Sequence, residues 1–205
     1  MRKSKQLFTA LLCVILFSIS VLRAQEKEPQ FYLTVTTMHW DIEMEDFSMS
    51  DWVAVEKEFL DKVTKKNEHV LATTIAHHYL TADNREVLIA TLYGSWQAID
   101  KAAERSSELV KEAWPDEANR EAFFKKRNSY YSNFHSDEIY ATFPGAKSST
   151  SEAGKDIFYY VRKSHFAFPE DGNFKEFNEL RDAYLKEVLY KNKYIKGYPR
   201  AQERV

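Results

Sequence analysis

Hydrophobic and polar residues alternate along four short stretches of this chain, and alternation with a period of two is typical of half-buried strands. The first stretch is the clearest, because Phe31, Leu33 and Val35 alternate with polar or aromatic residues and many of its residues are β-branched. Between the second and third stretches, Ala82-Asp83-Asn84 indicates the turn of a hairpin. The four predicted strands are 31–41, 71–81, 86–93 and 138–143.

Apolar residues between these strands recur every three or four positions, as on one face of a helix. In the first helix, Ser48 stands three residues before Asp51, where it can cap the helix, and the apolar stripe continues to about Asn67. Ser95 caps a second helix in the same way. A third helix is predicted over 116–130. Together the elements predict the order β-α-β-β-α-α-β.

A second, smaller unit follows a break in the pattern. Residues 144–155 are small and polar, which is typical of a linker. Residues 156–168 are again strand-like, and a helical stripe runs from Phe174 to Val188. The sequence therefore predicts a main unit of residues 31–143, a linker of residues 144–155 and a partial second unit of residues 156–205.

The helix of the second unit matches the first helix at a shift of 125 positions. The shift superposes Phe174 on Met49, and it aligns Lys191-Asn192 with an identical pair, Lys66-Asn67. Two interpretations stay open, because any two amphipathic helices match at apolar positions. An internal repeat is favoured, since the order of elements around both helices also agrees.

The order of the main unit is the ferredoxin-like pattern, in which two helices cover one face of a four-stranded antiparallel sheet. The chain resembles the dimeric α/β-barrel superfamily, which includes the antibiotic-biosynthesis-monooxygenase and stress-responsive barrel families. The resemblance implies an α+β fold whose sheet closes into a barrel with a second unit, here in a homodimer. None of the matching stretches is a catalytic signature, and the fold hosts many functions. The stretches that carry the resemblance are FYLTVTTMHW, the first helix with its final Lys-Asn, LATTIAHHYL, EVLIATLYG and SWQAIDKA.

The second unit departs from this pattern, because Ile195 aligns with Val70 and the chain reaches Val205 where a second strand should run. One strand and one helix cannot close a barrel. Either this partial βα unit packs on or swaps with another copy, or the chain is a shortened version of a longer tandem protein.

The N-terminus predicts export. Three of the first five residues are basic, an uncharged run of 16 residues covers 7–22, and Ala24 offers the small residue that a signal peptidase requires. A bilayer-spanning helix needs about 20 apolar residues. Cleavage after Ala24 is therefore expected, giving a periplasmic or extracellular protein without a stable membrane span. Leu22 is large for its position in a cleavage site, so an uncleaved N-terminal anchor is the alternative.

Removal of residues 1–24 changes the charge and the redox chemistry of the chain. It leaves 25 basic and 31 acidic residues, a formal charge of −6, which argues against nucleic-acid binding. The single cysteine, Cys13, lies in the removed segment. The mature chain is therefore expected to have no disulfide, no thiolate nucleophile and no cysteine metal site.

The first strand has one face that mixes aromatic and hydroxyl side chains, from Tyr32 to Trp40. The other face is apolar as far as Val35 and is expected to pack against the helices, so the mixed face is expected to line the barrel. Such a lining suits a small hydrophobic or aromatic ligand. The alternative is an ordinary dimer core with hydrogen-bonded hydroxyls. The predicted ligand-binding residues are Thr36, Trp40, His77, Tyr79 and Tyr93.

No recognisable catalytic or metal-binding motif accompanies this face. His77 and His78 are adjacent on a predicted strand and point to opposite faces, so they cannot together ligate one ion from there. No cofactor is predicted, although heme stays a low-ranked alternative because some barrel relatives bind it. Two hypotheses follow: a non-catalytic protein of the cell envelope that binds a small ligand or a partner, or a cofactor-light monooxygenase or heme-handling enzyme.

Overall fold

The structure is a computed structural model that describes residues 30–142, Val161, residues 172–194 and the backbone of residues 201–203. The predicted signal segment and the linker of residues 144–155 lie outside the described residues, and so does almost all of the strand predicted over 156–168.

The elements of the main unit follow the predicted order. Its strands are β1 (Tyr32–Trp40), β2 (Val70–His77), β3 (Glu86–Tyr93) and β4 (Tyr131–Thr142). Its helices are α1 (Met49–Lys62), α2 (Trp96–Ala113) and α3 (Glu117–Asn128), with a short 3₁₀ turn over Thr64–Lys66. Later in the chain come α4 (Phe174–Tyr184), which continues into a π-helical turn over Leu185–Leu189, and β5 (Ala201–Glu203).

One antiparallel sheet contains all the described strands, in the order β2-β3-β1-β4-β5. The first four strands and the helices between them form a ferredoxin-like unit, which confirms the predicted α+β fold. β5 is an addition to the expected four strands, since Gln202 pairs with Ala141 at the β4 edge. The edge of β4 is thus covered over this short stretch.

Side-chain caps begin the helices where the sequence predicts them. Ser48 Oγ accepts a hydrogen bond from the Asp51 backbone N–H at 3.3 Å, and Ser95 Oγ accepts one from Ala98 at 3.2 Å. Each cap satisfies a backbone donor that the first helical turn leaves without a partner.

Three predicted boundaries are wrong. β2 ends at His77, four residues before the predicted end, and Leu80 beyond it has a left-handed backbone that does not continue a strand. Tertiary contacts decide the other two. α1 ends at Lys62, and the last residues before Asn67 tighten into the 3₁₀ turn. β4 begins at Tyr131, seven residues before the predicted start, because its polar first half pairs with β1. Backbone pairing needs no alternation of side chains, so the hydrophobic pattern does not reveal it.

The assignment of the two sheet faces is also wrong. Trp40 was expected to face away from the helices, but its ring lies 4.8 Å from that of Trp52 in α1, edge to face. At the other end of the same face, the Tyr32 ring lies 5.7 Å from Trp96 in α2. Val87, which pairs with Met38 on this face, is fully buried. The face with mixed aromatic and hydroxyl residues is therefore the one that the helices cover.

The turn after each helix supports the internal repeat. Asn67 Oδ1 accepts a hydrogen bond from the His69 backbone N–H at 3.1 Å, and Asn192 Oδ1 accepts one from Tyr194 at 2.9 Å. Both pairs are related by the same shift of 125 positions, which also superposes the first residues of α1 and α4. The two helices therefore share their starting point and the turn that follows them.

Candidate functional site

The five predicted ligand-binding residues occupy different environments. Thr36 donates a hydrogen bond from Oγ1 to Asp137 Oδ1 at 2.6 Å, and Trp40 belongs to the core under α1. His77 is exposed at the end of β2, Tyr79 is 64% exposed in the loop that follows, and Tyr93 is half-buried at the end of β3. Thr36, Trp40, His77 and Tyr93 therefore share the helix-covered face of the sheet, whereas Tyr79 lies beyond the end of β2. Among them Trp40 has a structural position in the core.

These residues do not surround one pocket. His77 pairs with Val87 at the start of β3, whereas Tyr93 is six residues further along that strand. Six residues of strand span about 20 Å. A small ligand cannot contact both ends of such a row, so the ligand-binding role of these residues stays a prediction.

Beneath Trp40 lies a buried polar network that joins α1, α3 and β4. Glu56 is 3% exposed and accepts two hydrogen bonds from Arg127, from Nε at 2.9 Å and from Nη2 at 3.0 Å. The Tyr131 hydroxyl donates to Glu56 Oε1 at 2.9 Å and accepts from Trp52 Nε1 at 2.8 Å. The Trp40 ring stacks on Tyr131 at 5.9 Å and closes the network toward the sheet.

The surroundings of Tyr131 raise its pKa. Burial raises the pKa of Tyr131 well above its usual value, and the negative charge of Glu56 raises it further. Tyr131 is thus a permanent hydrogen-bond donor. Glu56 has both oxygens engaged by Arg127, and Oε1 also accepts from the Tyr131 hydroxyl. The network therefore joins α1, α3 and β4 through hydrogen bonds between their side chains.

The described histidines do not assemble a metal centre. His39 lies 3.8 Å from Asp83, and His135 lies 3.4 Å from Asp137. His77 and His78 keep their rings 6.3 Å apart. Within the described ranges, no group of three metal-ligating side chains comes together. His165 lies outside the described residues.

A second polar cluster fixes the loop between β2 and β3. The Arg85 side chain donates to both carboxylate oxygens of Asp83, from Nε at 3.1 Å and from Nη2 at 3.0 Å. The Arg85 backbone N–H also donates to Asp83 Oδ1, at 2.9 Å. These hydrogen bonds lower the pKa of Asp83 from 3.8 to about 2, and the bond from the Arg85 side chain has the largest effect. Leu80, in the same loop, has a left-handed backbone with φ of 57°. The aspartate therefore holds a loop that contains one strained residue.

The face of the sheet that points away from α1 and α2 is here named the distal face. On the central strands it is apolar, with Leu33 opposite Leu92 and Val35 opposite Ala90. These side chains are half-buried, in contrast to Val87 on the helix side. Six described residues on β1, β3 and β4 make up the apolar part of the distal face: Leu33, Val35, Leu88, Ala90, Leu92 and Tyr140.

Solved structures of other proteins resemble this chain in fold. SnoaB, a cofactor-independent oxygenase from Streptomyces nogalater, is 4% identical with a TM-score of 0.35, over 61% of this chain and 98% of that chain. A nipsnap family protein with unknown function from Agrobacterium tumefaciens is 14% identical with a TM-score of 0.39, over 56% and 90%. A dimeric ferredoxin-like protein of unknown function from Thermobifida fusca is 9% identical with a TM-score of 0.36, over 57% and 95%.

These similarities agree with the predicted ferredoxin-like fold and carry no argument about function, because all three identities and TM-scores are low. No protein-family model matches the sequence, and no curated protein matches it either. Among the described residues, none of the helices is both long and apolar enough to cross a bilayer.

Proposed function

We propose that this protein is an exported, non-catalytic binding protein that acts as a homodimer through its distal sheet face. The observation that carries the proposal is the distribution of side chains on the central strands. The helices cover the face with Trp40 and Val87. The opposite face is mainly apolar on β1 and β3, and Glu138 of β4 borders it opposite Val35. A sheet with helices on one side gains stability when its other apolar side is also covered.

A second copy of the chain is the proposed cover, because an identical apolar face is self-complementary about a two-fold axis. Two sheets that pack face to face lie about 10 Å apart, which leaves room for interdigitated leucine and valine side chains. A small hydrophobic or aromatic molecule is the proposed ligand. The buried network around Glu56 supports a binding role over an enzymatic one, because its acid and its phenol are already engaged with each other.

Isotope-filtered NMR of a mixed sample tests the proposed dimer. One population carries labelled leucine and valine methyl groups and the other carries none, so contacts between copies are selected. We expect intermolecular contacts at Leu33, Val35, Leu88 and Leu92. Val53 is the matched control, since it is an apolar residue on the exposed side of α1. A monomeric sample, or intermolecular contacts at Val53 but not on the distal face, would overturn the proposal.

A further inference from the structure

Helix α4 and the π-helical turn that continues it carry an apolar row that is exposed in the described part of the chain. Leu180, Tyr184 and Val188 follow one another at four-residue spacing and are 67%, 54% and 47% exposed. Four-residue spacing places them along one side of the helix. An amphipathic helix that exposes its apolar side is typical of a segment that docks elsewhere.

The internal repeat identifies the residues of the main unit that are equivalent to this row. The shift of 125 positions superposes Leu180, Tyr184 and Val188 on Val55, Phe59 and Val63 of α1 and its C-terminal cap. Val55 and Val63 are buried in the two hydrophobic clusters of the main unit. In the main unit this row packs partly against the sheet, through Val55, and partly against α2, through Val63. The equivalent row after the linker is exposed instead.

The main unit offers a matching surface on its helical side. A shallow groove of about 340 Å³ runs between α1, α2 and α3, with Phe59, Val110 and Phe124 as its apolar lining. Lys111 and Arg120 add positive charge to it. Residues of α4 do not line the groove, so the described part of one chain leaves both surfaces open at once. An open groove suits a helix better than a small ligand, which usually needs an enclosing cavity.

The charges on the two surfaces are complementary. Glu176 lies one turn before Leu180 on the same side of α4, and the described residues give its carboxylate no ion-pair partner. Lys111, next to Val110 in the groove, likewise has no ion-pair partner among the described residues. α4 itself contains three acidic and two basic residues, so its net charge is opposite in sign to that of the groove cations. Docking would pair these groups at the rim of an apolar contact, where a charge pair favours specificity and register.

We propose that α4 of one copy docks into the α1–α2–α3 groove of a second copy. Leu180, Tyr184 and Val188 contact Phe59, Val110 and Phe124, and Glu176 pairs with Lys111. This contact is separate from the distal-face dimer, since it uses the helical side of the sheet. An exchange of helices between two copies closes the assembly, whereas one-way docking gives a chain of copies.

Cysteine cross-linking between two populations tests the contact. The full chain carrying Cys13→Ser has no other thiol, so Tyr184→Cys in one population and Val110→Cys in the other form a disulfide only between copies. The expected result is a linked dimer in the mixture at several times the yield of either population alone. The control replaces Val110→Cys with Leu80→Cys, an exposed apolar position in the β2–β3 loop. Circular dichroism of each variant verifies that it is folded.

The charge pair supplies a second measurement that does not disturb the apolar groove. Lys111→Glu in the Val110→Cys population should lower the yield of linked dimer several-fold, and Glu176→Lys in the Tyr184→Cys population should restore it. Equal yields with Leu80→Cys, or self-linking of the Tyr184→Cys population alone at the same yield, would overturn the proposal. A chain that carries both cysteines and forms only an intramolecular disulfide would also overturn the proposal, because α4 would then dock into the groove of its own copy.

Discussion

Removal of Arg127 should destabilise the fold because it leaves Glu56 as a buried charge without its main partner. Glu56 is 3% exposed and would keep only the hydrogen bond from Tyr131. Breaking a buried ion pair from one side costs about 3–5 kcal/mol. The Arg127 side chain is 18% exposed, so some water can reach the site and the lower end applies. For Arg127→Met we expect a loss of about 3 kcal/mol, or a Tm about 6–12 °C lower.

The physical reason is tested by a double-mutant cycle measured by urea unfolding at pH 7. Glu56→Gln combined with Arg127→Met removes the charge as well as its partner, so the double variant should be more stable than Arg127→Met by about 1–2 kcal/mol. Lys126→Met, on the exposed side of α3, is the matched control and should stay within about 0.5 kcal/mol of the unmodified chain. A loss below about 1 kcal/mol for Arg127→Met, or additive losses in the double variant, would refute the reasoning.

Three further outcomes are expected. N-terminal sequencing of protein from the cell envelope should begin at Gln25, and recovery of Met1 would contradict signal cleavage. The pKa of Asp83 is depressed in the folded state, so its contribution to the stability of the folded loop is present above pH 3.8 and is lost as the pH falls toward 2. Amide hydrogen exchange in loop 78–85 should therefore become faster between pH 3.8 and 2. Unchanged protection in that range would contradict the prediction. Added hemin should show the absorbance of free hemin; a shifted Soret band that His77→Ala abolishes would favour heme handling instead.

The order of the elements and the helix caps could be predicted because they depend on residues close together in sequence. Ser48 caps α1 and Ser95 caps α2 through the backbone N–H three residues later, a pattern visible in the sequence itself. The same holds for the turn after Asn67, which recurs after Asn192. Each of these features needs only local hydrogen bonds.

The covered face and the buried network could not be predicted in the same way. Alternation shows that Thr36 and Trp40 share a face, but both faces of β1 contain large apolar residues, so the pattern does not reveal which one meets the helices. Glu56 interrupts the apolar stripe of α1, which indicates a buried partner. The partner, Arg127, lies 71 residues away in the sequence and is equally well explained as an ordinary basic residue in the last turn of a helix. β5 depends on pairing with β4 across 60 residues of chain, which no local pattern contains.

The molar mass of the chain at micromolar concentration, measured by light scattering, tests the central claim most directly. Leu180→Asp is included throughout, so that the proposed α4 contact does not contribute. We predict a dimer. Leu92→Arg on the distal face should convert it to a folded monomer, whereas Val53→Arg on the exposed side of α1 should leave it a dimer. A monomer before either change, or a dimer that survives Leu92→Arg, would contradict association through the distal sheet face.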